Sequence, residues 1–217
     1  MSARKRTAVL ISGRGSNLQA LIDAASDANY PAEIALVLSN VAGAPGLERA
    51  VRAGIATRTI SHRDYASREE FDAAVEKILV DAAIDLVCLA GFMRVFSDGF
   101  ARRWQGRLIN IHPSLLPAFK GLNVHRQVLD AGVRISGCSV HFVVPELDSG
   151  PIIAQSAVPV LTTDDESALA ARTLAAEHAL YPMALALLAG GRVKLADGRS
   201  VFSETPAHAG SLFVPTA

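Results

Sequence analysis

The chain has 217 residues, of which 50% are hydrophobic and 19% are charged, and its 21 basic side chains balance 21 acidic ones. This length can bury a substantial core, and the composition excludes a disordered chain and a basic surface for nucleic acid. We therefore expect one domain over residues 1–217 and no nucleic-acid partner. The two cysteines, Cys88 and Cys138, lie in apolar runs, which indicates small buried side chains rather than a disulfide.

The amino terminus carries basic residues, but no adequate apolar run follows them. Neither a signal peptide nor a membrane-spanning segment is apparent. The sequence therefore predicts a cytoplasmic protein with no membrane partner.

A strand, a glycine loop and a helix open the chain. The apolar run 7–12 is followed by Gly13-Arg14-Gly15, and apolar residues then recur at helical spacing. Ser16 and Gln19 have the spacing of a capping box, so the helix should begin at Ser16 or Asn17. Free backbone N–H groups at a helix start favour phosphate, so the segment predicts a phosphate site.

A dinucleotide site is the main alternative for this segment. Leu18 stands where the third glycine of that fingerprint belongs. The second strand, residues 33–38, ends in Ser39-Asn40 rather than in the acid that would hold a ribose diol. The pattern favours a single phosphate over a nicotinamide cofactor, although a tight turn alone would also explain Gly13.

The next segments alternate between helix and strand. They are a helix at 46–53, a strand at 56–60, a helix opened by the capping box Ser67-x-x-Glu70, and an apolar strand at 84–90. This alternation predicts an α/β fold, an open, mostly parallel twisted sheet with helices on both faces. Residues 91–96 continue the apolar character into a loop, which either lines a ligand or folds back on the core.

The strand at 108–112 carries Asn110 and His112, which share one face because alternate side chains of a strand do. Pro113 cannot join a sheet ladder, so the strand should end there and present both groups at its carboxyl end, where ligands bind in such sheets. Two satisfied polar groups near a strand end are the alternative. A second polar stretch, residues 146–151, closes another apolar strand downstream.

The carboxyl-terminal half departs from strict alternation. After a helix at 124–131, strands at 137–144 and 151–160 have no helix between them, which predicts an antiparallel addition to the sheet. Thr163-x-x-Glu166 should cap a helix reaching Ala189, and Pro182 should break or kink it. A small hairpin turning at Asp197-Gly198 is expected after it.

Two motifs, residues 110–117 (NIHPSLLP) and 147–151 (LDSGP), resemble those of the folate-dependent formyltransferases, which have a Rossmann-like fold. The segment 12–17 (SGRGSN) narrows the resemblance to members that act on glycinamide ribonucleotide. The similarity covers residues 7–195. It implies transfer of a formyl group from 10-formyltetrahydrofolate to the amine of glycinamide ribonucleotide in de novo purine biosynthesis.

The resemblance also implies an organisation along the chain. A ribonucleotide-binding half would span residues 7–90, a folate-binding and catalytic half 91–195, and a tail 196–217. The partners would be these two small molecules, and the protein would be a monomer or a homodimer. No Cys, His and Asp cluster has metal-ligand spacing, so no metal is expected.

The implied reaction passes through a tetrahedral intermediate with an oxyanion. Asn110 would donate an amide N–H to this oxygen, and protonated His112 would be a charged donor. His112 would also pass a proton to the departing folate nitrogen, since histidine changes protonation nearest neutral pH. Asp148 would stabilise the imidazolium and orient it, although an Asp before Ser149-Gly150 could instead cap a turn.

By resemblance, the ribonucleotide contacts are Gly15, Ser16, Asn17 and Glu177. The folate contacts are Arg68, Met93, Arg94, Val95, Phe96, Asn110, Val144, Pro145, Glu146, Leu147 and Asp148. Without the family, Arg68 and Glu177 would be interpreted as solvated helix residues, and His141 as a satisfied sheet residue. The segment 118–124 departs from the family pattern, with Lys120 and Asn123-Val124 where relatives often have Pro and His-Thr.

Three other functions compete with this one. Formyltetrahydrofolate hydrolase shares the same catalytic constellation but would carry an additional amino-terminal regulatory domain. Methionyl-tRNA formyltransferase would need a carboxyl-terminal RNA-binding domain and a basic surface. A non-catalytic nucleotide-binding module would keep Gly15-Ser16-Asn17 but would have no reason to bring Asn110, His112 and Asp148 together.

Overall fold

The structure is a computed structural model that describes residues 3–204 and residue 214. Its strands are β1 (Lys5–Ile11), β2 (Ala32–Ser39), β3 (Ala56–Thr59), β4 (Leu86–Leu89), β5 (Leu108–His112), β6 (Ile135–Phe142), β7 (Ile152–Pro159), β8 (Val193–Ala196) and β9 (Arg199–Phe202). Its α-helices are α1 (Ser16–Ala25), α2 (Pro45–Arg52), α3 (Arg68–Asp81), α4 (Asp98–Arg103), α5 (Val124–Asp130) and α6 (Glu166–Ala189). The tail expected at 196–217 lies outside the described residues from 205 to 213 and from 215 to 217.

Seven strands form one sheet in the order β3-β2-β1-β4-β5-β6-β7. The strands from β3 to β5 pair in parallel, whereas β6 is antiparallel to both β5 and β7. The predicted parallel sheet and its antiparallel addition are therefore confirmed. The strands β8 and β9 form the expected hairpin, with Asp197 and Gly198 at φ 49° and 70°.

The central strand β1 shows why helices cover both faces of the sheet. Ala8 and Leu10 pack with α3 and α4 on one face, while Val9 and Ile11 pack with α1 and α6 on the other. All four side chains are fully buried. Because alternate residues of a strand point to opposite faces, an uninterrupted apolar run is what a doubly covered strand requires.

The strand order changes direction at β1, which lies between β2 and β4. The chain leaves β1 toward β2 on one side and later returns to β4 on the other. The loops that follow β1 and β4 therefore diverge and leave a crevice at the carboxyl edge of the sheet, the usual ligand position in such folds. The end of β5 lies on the same edge, since β4 and β5 are parallel.

Two of the three predicted helix caps are wrong. Helix α1 begins at Ser16 as expected, but the preceding residue is Gly15 at φ 68°, and no side chain caps the helix. Helix α6 is capped by Asp165, which accepts from the Ala168 N–H, and not by Thr163. The cap at Ser67 is confirmed by its bond to the Glu70 N–H at 3.1 Å.

The proline in α6 does not end the helix. This helix runs for 24 residues through Pro182, so the break is wrong, and the kink offered as its alternative stays a prediction. The adjacent Tyr181 is fully buried and donates to the carbonyls of Leu89 and Ile109, which holds the helix against the sheet next to the missing N–H. Within the described residues, none of the helices combines the length and apolarity that a membrane crossing needs.

Candidate active site

The pairing of β5 with β6 places three polar side chains on one face of the sheet. His112 is the last residue of β5, as expected from Pro113. Asn110 is the direct partner of His141 across the antiparallel pair, so both project to the face that also carries His112. The opposite face at these strands is apolar, with Ile109 and Ile111 in the core.

Asp148 approaches this face from the loop between β6 and β7. Its Oδ2 lies 3.5 Å from His112 Nδ1, and its Oδ1 lies 3.8 Å from His141 Nε2. The Asp148 side chain is only 8% exposed, so water screens these contacts weakly. Asn110, His112, His141 and Asp148 are called the polar cluster below. The three residues expected to be catalytic are thus brought together, and His141 joins them.

His112 faces an oxygen acceptor at each ring nitrogen. Its Nε2 lies 2.9 Å from the Phe119 carbonyl oxygen, and its Nδ1 faces Asp148. A neutral imidazole has only one N–H and can donate to one of these acceptors, whereas the imidazolium donates to both. Both ring nitrogens of His112 therefore lie near an oxygen acceptor.

The hydrogen bonds of His141 define the tautomer of its ring. Its Nδ1 lies 2.9 Å from the Phe142 carbonyl oxygen and therefore carries the proton. Burial lowers the pKa of His141, so the ring is neutral near pH 7 and its Nε2 can accept from Asn110 Nδ2 at 3.3 Å. The interpretation of His141 as a satisfied sheet residue is incomplete, because its ring orients the Asn110 amide. No motif could have shown this, since the strand register decides it.

The segment 118–121 covers the polar cluster. The Gly121 N–H donates to Asp148 Oδ2 at 3.0 Å, in addition to the contact of His112 with Phe119. Lys120 donates to Ser149 Oγ at 2.6 Å. The segment that departs from the family pattern therefore lies directly on these side chains.

The glycine loop is shaped by close backbone packing against α2. The Gly46 N–H donates to the Gly13 carbonyl at 3.0 Å. A Cβ on Gly46 would lie 2.5 Å from Ile11 Cδ1 and 3.2 Å from Gly15 Cα, so only glycine fits without a shift. This packing holds the loop that leads into α1, whose first N–H groups have no partner within the helix.

Asn17 and Glu177 form a buried pair next to this loop. Asn17 Nδ2 donates to Glu177 Oε2 at 2.6 Å, and the two residues are 9% and 7% exposed. Burial raises the pKa of Glu177, while the bond from Asn17 opposes this shift. Glu177 is therefore not the solvated helix residue that its local sequence indicates.

Arg49 of α2 adds positive charge beside the start of α1, and no sequence pattern singled it out. Its Nε donates to the Arg14 carbonyl at 2.9 Å, and its Nη1 to Gln19 Oε1 at 3.2 Å. Both acceptors are neutral and do not compensate the positive charge of the guanidinium, so this charge is available to attract an anion. Arg49 and Ser16 line the same cavity of about 600 Å³.

The sequence left open whether the loop 91–96 lines a ligand or folds back on the core, and its side chains divide between the core and the surface. Phe92 and Phe96 fold back on the core and stack at 5.4 Å between ring centroids, whereas Met93 and Val95 are 65% and 52% exposed. Phe96 is thus buried in the core, and the exposed side chains are the ones available to a ligand.

Arg68, at the start of α3, is also exposed. It lines a cavity of about 480 Å³ together with Ser97 and Asp98.

The remaining expected folate contacts, residues 144–147, lie in the loop that carries Asp148, with Leu147 56% exposed. No group of three or more His, Cys, Asp or Glu side chains among residues 3–204 and 214 is arranged to hold a metal ion.

Residues 5–185 match the model of the formyl transferase family. The chain belongs to the formyl transferase family. Membership implies a folate-type formyl donor. A relative named phosphoribosylglycinamide formyltransferase in Escherichia coli is 49% identical over 187 residues, which cover 86% of this chain and 88% of that protein.

Longer relatives and solved structures agree with this family. The trifunctional purine biosynthetic protein adenosine-3 of Gallus gallus is 52% identical over 196 residues, 90% of this chain, but the chain spans only 20% of that protein's length. The crystal structure of glycinamide ribonucleotide transformylase 1 from Symbiobacterium toebii has a TM-score of 0.91 at 46% identity and covers 94% of this chain and 96% of its own.

Proposed function

We propose that this protein is a phosphoribosylglycinamide formyltransferase, which transfers a formyl group from 10-formyltetrahydrofolate to the amine of glycinamide ribonucleotide. The products are formylglycinamide ribonucleotide and tetrahydrofolate. The observation that carries the proposal is the polar cluster, in which an amide, an imidazole and a carboxylate meet on one sheet face in a chain of this family. We further propose that the enzyme acts in the cytoplasm as a monomer or homodimer, without metal.

The ribonucleotide binds at the start of α1 in this proposal. The backbone N–H groups of Gly15, Ser16 and Asn17 bind its phosphate, and the nearby Arg49 guanidinium supplies positive charge. Glu177 accepts hydrogen bonds from the ribose hydroxyls. The close backbone packing of the loop supports a site that is formed before the substrate arrives.

The folate binds between the two loops that flank the polar cluster. Residues 93–96 supply one wall, and residues 144–148 supply the other. Met93 and Leu147 are exposed apolar side chains, and their burial under the flat ring of the folate would be favourable. Arg68 on the outer side pairs with the anionic glutamate portion of the folate.

The chemistry begins when the amine nitrogen attacks the formyl carbon, which places a negative charge on the formyl oxygen. Asn110 uses one amide N–H on His141 and has a second for this oxyanion, while protonated His112 stabilises the same charge. The bond between the formyl carbon and the folate nitrogen then breaks. His112 gives its proton to that nitrogen and then takes up the proton lost by the amine, and Asp148 stabilises the imidazolium that forms again.

The segment 118–121 withdraws when the substrates bind. In the present conformation the Phe119 carbonyl occupies His112 Nε2, so neither nitrogen of this ring can reach a substrate. Removing that one contact frees Nε2 and leaves Nδ1 on Asp148.

The experiment mixes purified protein with 10-formyltetrahydrofolate and follows folate absorbance with and without glycinamide ribonucleotide. We expect tetrahydrofolate to form only when the amine is present, and mass spectrometry to find the formylated ribonucleotide. Equal release without the amine would indicate a hydrolase. No release in either case would contradict the proposal.

A ligand contrast tests the phosphate site separately. Glycinamide ribonucleotide should raise the melting temperature of the protein, because a ligand that binds only the folded state stabilises it, whereas NAD should not. Equal protection by NAD would contradict the assignment.

A further inference from the structure

Ser12 connects the two loops that border the crevice at the switch point of the sheet. Its Oγ accepts from the Met93 N–H at 2.7 Å and donates to Asn40 Oδ1 at 2.5 Å. Its own N–H donates to the Gly91 carbonyl at 3.1 Å. Ser12 follows β1 and precedes the glycine loop, while Gly91 and Met93 follow β4, so these bonds cross the crevice.

The segment 91–96, which carries proposed folate contacts, is called the folate loop here. The position of its amino-terminal end depends on the bond from the Met93 N–H to Ser12 Oγ. Residues 91–96 are held at their far end by the Ser97 N–H, which donates to Asp72 Oδ2 at 2.7 Å, and from below by Phe92 and Phe96. Met93 itself is 65% exposed, so its side chain contributes little packing. The backbone bond to Ser12 is what places this residue beside the glycine loop.

The same hydroxyl belongs to the segment that would bind the ribonucleotide phosphate. A phosphate on the N–H groups at residues 15–17 adds contacts at the carboxyl-terminal side of this packed loop, and Ser12 lies at its amino-terminal side. These added contacts narrow the motion that the packed loop retains, so the Ser12 hydroxyl holds the Met93 N–H more firmly. The folate then binds a loop that already has lost part of its freedom, which makes its binding more favourable.

We propose that Ser12 is a positioning residue through which the ribonucleotide loop holds the folate loop, so that the two substrates bind with positive coupling. This inference rests on the proposed function, because it takes the two loops as the two substrate sites. The coupling is reciprocal, since each ligand must change the affinity of the other by the same factor.

The test measures binding without turnover. Tetrahydrofolate carries no formyl group, so it forms an unreactive complex with glycinamide ribonucleotide, and calorimetry under anaerobic conditions gives its affinity with and without the ribonucleotide. We expect the ribonucleotide to tighten tetrahydrofolate binding about fivefold or more in the wild type, within the usual range of coupling. In Ser12→Ala the factor should fall below about twofold, and the KM for the formyl donor should rise more than kcat falls.

Three further variants keep the outcome interpretable. Ser12→Thr keeps the hydroxyl at a half-buried position and should restore the coupling. Ser12→Cys keeps the shape with a weaker hydrogen bond and replaces Ser12→Ala if that variant does not fold. Ser136→Ala removes a hydroxyl that is 2% exposed and has no partner among the described residues, far along β6, and should keep the wild-type factor.

The results separate this inference from the function it rests on. If the wild type transfers the formyl group but shows no coupling, or if Ser12→Ala keeps the full coupling and donor KM, the role of Ser12 is wrong while the proposed function stands. If the wild type transfers no formyl group to the amine, the proposed function itself fails.

Discussion

The two sides of the crevice differ in which part of the protein forms them, the backbone on one side and polar side chains on the other. On the proposed ribonucleotide side, backbone packing makes the site, since Gly46 touches Gly15 so closely that no Cβ fits between them. On the proposed catalytic side, the backbone only supplies strands, and four polar side chains make the site through contacts of 3.3–3.8 Å. The first arrangement has a fixed shape, whereas the second depends on which atoms carry protons.

The proposed function gives a reason for this difference. A phosphate keeps its charge throughout the reaction, so a rigid set of N–H donors suits it at every step. The oxyanion exists only in the intermediate, and a proton must move as it collapses, so the catalytic side needs groups that change protonation. Substitutions should therefore affect affinity on the first side and turnover on the second.

The largest effect should follow loss of a donor on the catalytic side. Asn110→Ala and His112→Ala should each lower kcat by about two to three orders of magnitude, with the KM for the ribonucleotide little changed. Steady-state kinetics and circular dichroism of both variants check this. A variant that folds and turns over at nearly the wild-type rate would remove its residue from the catalytic set.

Glu177→Gln should act on affinity and on stability in opposite directions. The KM for the ribonucleotide should rise about tenfold to a hundredfold, because a charged acceptor for the ribose is lost, while kcat changes less. Burial raises the pKa of Glu177, so the folded protein binds this proton more tightly than the unfolded chain does. The free energy of unfolding therefore falls as pH rises through the window between the two pKa values.

Glutamine at position 177 carries no charge, so the free energy of unfolding of the variant does not fall with pH for this reason. Its melting temperature should exceed that of the wild type above the raised pKa, and the difference should shrink as pH falls through the ordinary glutamate range. Thermal melts from pH 4 to pH 8 measure this. A wild type that is more stable than the variant at pH 8 would show that the carboxylate is better solvated than its burial indicates.

Gly46→Ala tests the backbone side. Alanine gains about 1 kcal/mol of helix propensity over glycine, but the added Cβ meets Ile11 and the glycine loop, and such overpacking costs about 1–3 kcal/mol. We expect lower stability and weaker ribonucleotide binding. Gly13→Ala is the matched control for stability, since a Cβ there meets nothing within 4 Å. Equal stability of the two variants would contradict the packing argument.

His141→Asn should have the smallest effect. The variant loses the acceptor that orients the Asn110 amide, and one neutral hydrogen bond corresponds to about a threefold to tenfold change in kcat. The KM for the ribonucleotide should not change. A loss as large as that of His112→Ala would give His141 a direct chemical role.

The same contrast explains what the sequence could predict. Strand β1, with its uninterrupted apolar run, and β5, ended by Pro113, follow from local patterns, and so does a mostly parallel sheet with an antiparallel addition. The cap at Thr163 was wrong because Asp165 competes for the same helix start. Helix α4 was missed because six residues are too few for a hydrophobic period.

The candidate site shows a similar division. Asn110, His112 and Asp148 belong to motifs and could be named from the sequence. His141 could not, because only the register of β5 with β6 places it opposite Asn110. Arg49 likewise needs the packing of α2 on the glycine loop before its charge has a meaning. Side chains that meet through tertiary pairing leave no local pattern.

The central claim is that Asp148 holds His112 as a cation in the polar cluster. The direct test is ¹⁵N NMR of histidine-labelled protein at pH 7, for the wild type and for Asp148→Asn. Asparagine tolerates the left-handed backbone at this position, φ 48°, and can still accept from Gly121, so the turn should survive. We expect protons on both nitrogens of His112 in the wild type, one proton in the variant, and a fall in kcat of about tenfold or more. A His112 that is neutral in the wild type, or an active variant with an unchanged His112 spectrum, would contradict the claim and leave Asp148 as a turn residue.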